Sequence, residues 1–164
     1  MLAAMTMDKT TILVLGLGNV LLTDEAAGVR LAEHVGALPE AADLGLEAMD
    51  GGTMGLTLMV AMEDADAMIV CDSAWLGEAP GAFKLFEGAE MDHFLRTRGR
   101  NPHDIGLDDV MDGLRLRGAV PEKRALIGIQ PEILTVGEHM TAAVAAAIPQ
   151  AGEAVLGLAR RWRG

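Results

Sequence analysis

The chain has no tyrosine, three phenylalanines, two tryptophans, one cysteine and one serine among its 164 residues, and its 13 lysines and arginines are outnumbered by 24 aspartates and glutamates. Each shortage excludes a class of function. A single cysteine forms no internal disulfide and offers no CxxC thiolate pair, so any metal must be held mainly by oxygen and imidazole ligands, and a reducing cytoplasm is the expected setting. The net charge of −11 repels phosphate, and the few aromatics leave no base-stacking platform, so nucleic acid is not an expected partner. The lone serine, Ser73, lies in no GxSxG elbow. No run approaches about 18 uninterrupted apolar residues, so no membrane insertion is expected. The start, MLAAMTMDK, carries its one cation, Lys9, after its apolar residues, unlike a secretory leader.

What is present is an alternation of apolar runs and helical patterns. Thr11 to Leu17 is a nearly continuous apolar, β-branched run of the kind covered on both faces in a parallel sheet. After Gly16 and Gly18, a helix is expected from Asp24 to about Gly36. Leu44 to Met49 is a second expected strand, closed by Asp50-Gly51-Gly52, and Leu56, Met59 and Val60 suggest a short helix beyond it. Ala67 to Cys71 is a third strand ending at Asp72, and Gly81 to Glu87 alternates as an edge strand does. Arg96 to Asp104 is polar and reads as a long loop before a helix over Leu107 to Arg117. Ala125 to Ile129 is another strand. Met140 to Trp162 is helical in pattern, with Pro149 expected to break or kink it. The chain is long and apolar enough for one domain, residues 1–164, with residues 1–9 a loosely attached extension. The expected fold is α/β: a three-layer α/β/α sandwich around a twisted, mostly parallel sheet of about five strands with one antiparallel edge strand. A monomer is expected.

Gly16-Leu17-Gly18-Asn19 lies between a strand and a helix, where a dinucleotide fingerprint would lie, but Leu21 stands where the third glycine belongs. Asp24 and Glu25 would also repel a pyrophosphate at the helix start, so no nucleotide cofactor is expected. Four other positions are candidates: Glu25, Asp50, Asp72 and His103. Each has an ordinary structural explanation. Glu25 complements a helix dipole, Asp50 starts a turn, Asp72 closes a strand and His103 belongs to a loop or caps its helix. Together they suggest more, because parallel strands bring their carboxyl ends to one crevice, where two carboxylates and an imidazole suit a borderline first-row ion such as nickel or zinc. Cys71, among apolar neighbours, reads as core. Arg96, Arg98 and Arg100 read as a solvated loop.

The run from Gly16 to Gly28, GLGNVLLTDEAAG, resembles the GxGNxLxxDExxG signature of the maturation endopeptidases of nickel-iron hydrogenases. Asp50-Gly51-Gly52-Thr53 resembles that family's DGGT turn, His103 to Leu107 its HxxGL segment, and Gly128 to Glu132 its GxxPE strand end, all in the expected order from about Thr11 to Leu158. The resemblance implies an α/β endopeptidase that removes a C-terminal extension from the precursor of a hydrogenase large subunit after nickel insertion. It implies Glu25, Asp72 and His103 as ligands of a nickel ion supplied by the substrate, and it implicates Asp50 in activity, with a general base as the role assigned here. The reading from a different class is a non-catalytic, metal-sensing chaperone of the same precursor.

Overall fold

The computed structural model describes residues 10–52, 58–98 and 107–164. Five strands form one sheet: β1 (Ile12–Leu17), β2 (Leu46–Gly52), β3 (Ala67–Ser73), β4 (Phe83–Glu87) and β5 (Lys123–Ile129), in the order β2-β1-β3-β5-β4. All neighbours are parallel except β4, which runs antiparallel to β5 at the edge. The expected layered sheet with one antiparallel edge strand is therefore the observed one.

Alternation along β1 separates two cores. Ile12 and Val14 point to one face, covered by α1 (Ala27–Ala37) and α6 (Ala142–Arg163). Leu13, Leu15 and Leu17 point to the other, covered by α3 (Leu58–Asp64), α4 (Ala89–Thr97) and α5 (Leu107–Leu116). A short helix, α2 (Pro39–Asp43), has its proline at the start, where a missing N–H costs nothing.

Several expectations need correction. Glu25 precedes α1 and lies in a separate 3-10 turn, Thr23–Ala26. In α3 it is Leu58 and Met62, four residues apart, that are buried, while Val60 is 64% exposed because two helical steps carry it to the far side. The segment read as loop from Arg96 begins inside α4, whose Met91 and Leu95 form a buried i, i+4 pair. Pro149 lies within α6 without ending it; both Pro149 and Ala145, whose carbonyl loses its N–H partner, are exposed, so water can satisfy that oxygen. By length and mean hydropathy α6 alone among the described helices could cross a bilayer, yet half of its most apolar stretch is buried in the fold.

Candidate functional site

The chain runs from β1 out to β2 and then back across β1 to β3, so the strand order reverses between β1 and β3. Open α/β sheets form their crevice beyond the carboxyl ends of the strands at such a point. Glycines bring α1 down onto it. A Cβ on Gly28 would lie 2.3 Å from the carbonyl oxygen of Cys71, 2.4 Å from that of Leu17 and 2.8 Å from the Cα of Asp72. At Gly18, with φ 129°, a Cβ would lie 1.9 Å from the carbonyl oxygen of Glu25. These approaches pack the 3-10 turn against β3. Glu25 is half-buried in that turn, and Asp72 is buried at the end of β3.

The turn is held under strain. Thr23 has φ 46°, a left-handed conformation unfavourable for a β-branched residue. Its amide donates to the carbonyl of Gly137 at 2.9 Å and its hydroxyl to that of Ile133 at 2.8 Å, which fixes the turn on the loop after β5. Asp24 completes the clamp. Fully buried, it accepts from the amides of Glu132 at 2.8 Å and Ile133 at 3.1 Å through Oδ2, and from the amide of Thr141 at 2.7 Å through Oδ1. The Thr141 hydroxyl lies 2.8 Å from Oδ2. Burial pushes the Asp24 carboxyl up, but the bonds from Thr141, Glu132 and Ile133 outweigh it and hold the group below the ordinary aspartate value. The motif residue Asp24 is thus structural, while its neighbour Glu25 stays half-buried in the turn packed against β3. The sequence singled out Glu25 and gave Asp24 no role of its own; an acidic residue just before an apolar helix is too common a signal to reveal the clamp that Asp24 makes.

Gln130 laces the other loops together. It is buried, and its Oε1 accepts from the Leu76 amide at 2.6 Å, while its backbone exchanges bonds with Gly81 and Ala82 ahead of β4. Asp50 pairs with Gly16 in the β1–β2 register and is exposed; its Oδ1 accepts from the Gly52 amide at 2.8 Å, the local bond of an Asx turn. Asp50 and Asp72 lie on strands either side of β1, which at about 4.8 Å per strand separates their backbones by roughly 10 Å. His103 and Thr53 lie outside the described residues. Among the described residues, no group of three or more His, Cys, Asp or Glu side chains is arranged to hold an ion. The structure thus brings the turn of Glu25 against the strand of Asp72 and leaves Asp50 on the other side of β1.

Cys71 is fully buried and free, and burial, reinforced by the Asp72 charge, pushes its thiol far up, away from thiolate chemistry. Arg98 departs from the solvated-loop expectation. Its side chain is 17% exposed, and its Nη1 lies 3.4 Å from Asp72 Oδ2. Helix α4 positions it: Arg98 caps the last turn by donating its amide to the Phe94 carbonyl, and its guanidinium sits 6.0 Å from the Phe94 ring centroid. Phe94 in turn stacks on Phe86 of β4 at 4.2 Å. Asp92 pins α4 to β5 through Arg124, with contacts of 3.0 and 2.6 Å; Arg124 holds the Asp92 carboxyl below its ordinary value against the effect of burial.

Comparison with known proteins identifies the family of the fold. The sequence profile described as hydrogenase maturation protease matches residues 29–158. The hydrogenase 2 maturation protease of Escherichia coli K12 is 40% identical over 150 residues, 91% of this chain and 90% of that protein. The hydrogenase expression/formation protein HupD of Rhizobium leguminosarum bv. viciae is 36% identical over 152 residues, covering 92% and 75%. The solved structure of the hydrogenase maturating endopeptidase HybD from Escherichia coli superposes with a TM-score of 0.81 at 39% identity, covering 92% of this chain and 93% of that one. With an α/β sheet of this order and similarity across nearly its whole length, the chain belongs to the hydrogenase maturation protease family, whose members are peptide-bond hydrolases.

Proposed function

We propose that the protein is the endopeptidase that removes the C-terminal extension of a nickel-containing hydrogenase large-subunit precursor after nickel insertion, and that it reads completion of the metal site by coordinating the precursor's own nickel. Glu25, Asp72 and His103 are the ligands in this reading. The observation that supports it is the packing of the Glu25 turn against the end of β3, next to Asp72, at the point where the strand order reverses. Two carboxylate donors there suit a first-row divalent ion completed by an imidazole. The nickel arrives and leaves as part of the substrate, and the enzyme needs no nucleotide. We place the reaction in the cytoplasm, in keeping with a buried, free Cys71.

Asp50 is the residue we assign to proton transfer. It stands one strand away from β1 on the side opposite Asp72, a placement that suits a group acting on the scissile peptide beside the ion instead of on the ion itself. One of its oxygens, Oδ1, is committed to the Gly52 amide, which orients the carboxylate. An Asp50→Asn variant keeps an acceptor for that amide and so keeps the turn, but it cannot accept the proton. Its cleavage rate should fall by at least about 100-fold, with precursor binding retained. Glu25→Gln and His103→Ala should instead weaken precursor binding, read as a raised KM. Wild-type turnover by Asp50→Asn would remove it from the mechanism.

A further inference from the structure

We propose that Arg98 is a specificity residue that guards Asp72 against free divalent cations, so that the site accepts an ion only when the precursor delivers it. The inference rests on the reading of Asp72 as a ligand. Its own observation is the placement of a cation against that carboxylate: Nη1 of Arg98 lies 3.4 Å from Oδ2, with the two side chains only 17% and 8% exposed. The position is built. The C-terminal end of α4 fixes the Arg98 backbone, the Phe94 ring flanks the guanidinium, and the Asp92–Arg124 pair holds α4 to the sheet. Arg115, on the facing helix α5, reaches Asp92 and Asp112, whereas Arg98 turns to Asp72.

A divalent ion on Asp72 must either share the carboxylate with a guanidinium a few ångströms away or displace it. Sharing brings like charges together where little water screens them, and displacement breaks the ion pair and the contact with Phe94. Either route lowers affinity for a bare ion. An ion carried by a protein substrate is different, because the precursor's remaining contacts with the enzyme offset the same penalty. Arg98 therefore shifts the balance from the ion alone toward the ion presented by the substrate, a selection made by an opposing charge.

The test titrates the full-length protein with free nickel at low ionic strength, by calorimetry or against a metal indicator. Equal helical signal and melting temperature would establish that each variant is folded. Arg98→Gln should bind nickel about tenfold more tightly than wild type, while Arg98→Lys, which keeps the charge, should stay within about threefold. The gain should vanish when Asp72→Asn is added. Arg98→Gln binding no tighter than wild type, undetectable binding included, overturns the proposal, as does an equal gain from Arg98→Lys. If Asp72→Asn still weakens precursor binding in that case, the ligand reading survives. A gain that persists in the double variant also overturns the proposal, because the ion then does not sit on Asp72, and the ligand reading falls with it only if Asp72→Asn leaves precursor binding unchanged.

Discussion

Asp24 and Glu25 are adjacent carboxylates in different surroundings, Asp24 buried and Glu25 half-buried. Asp24 is fully buried, and bonds from three backbone amides and a hydroxyl hold it ionised. Because its pKa is lower folded than unfolded, the stability it contributes is fully present above the ordinary aspartate value of about 3.9 and is lost as pH falls through the folded value. Asp24→Asn should therefore cost about 3 kcal/mol at pH 7, since an amide cannot accept at both ends and leaves buried donors unpaired. In denaturant melts across a pH series, the gap between wild type and variant should close below about pH 4. A gap independent of pH would mean that the carboxylate charge is not what holds the clamp. The DE pair was legible in the sequence as a motif, but the partners of Asp24 lie 108 to 117 residues away, beyond any local pattern. Arg98 was hidden for the same reason: it follows α4 in a basic cluster, and only the packing of that helix aims it at Asp72.

At the scale of elements, apolar runs identified the buried strands and left their ends to tertiary context. The run expected from Ala67 to Cys71 extends to Ser73, which places Asp72 inside β3, opposite Gly128 of β5. Helix α4 was obscured by Gly99, Asn101 and Pro102, breakers that follow it and drew the whole segment into a predicted loop. Pro149 does not end α6, and the carbonyl of Ala145 that it leaves without an N–H partner lies at an exposed position where water can reach it. Pro149→Ala restores an N–H partner for the Ala145 carbonyl and should raise stability by about 1 to 3 kcal/mol, seen as a higher denaturation midpoint at unchanged slope. A lower midpoint would mean that α6 depends on the proline for its path across the sheet. Gly152 offers a second check on that path: a Cβ there would meet the ring of His34 at 2.8 Å, so α1 and α6 pack closely where the glycine lies.

For the whole molecule, the placement of the candidate residues follows from one feature, a mostly parallel sheet whose order reverses beside its first strand. That reversal places the Gly16–Gly28 segment, the Asp50 turn and Asp72 at adjoining strand ends although they are far apart in sequence. The alternation of strands and helices was enough to expect a mostly parallel sheet, because parallel neighbours require crossovers and crossovers put every loop of one kind at the same end, but the order of the strands was not legible in it. The central claim, that the protein cleaves a precursor and checks it for nickel, is tested most directly by intact mass. A catalytic amount of the protein is mixed with a matched large-subunit precursor, either nickel-loaded or nickel-free. Loss of the C-terminal extension from the nickel-loaded form alone is expected, with many precursors processed per protein. Equal cleavage of both forms would contradict the nickel check, and processing that stops at one precursor per protein, or never begins, would contradict the enzyme.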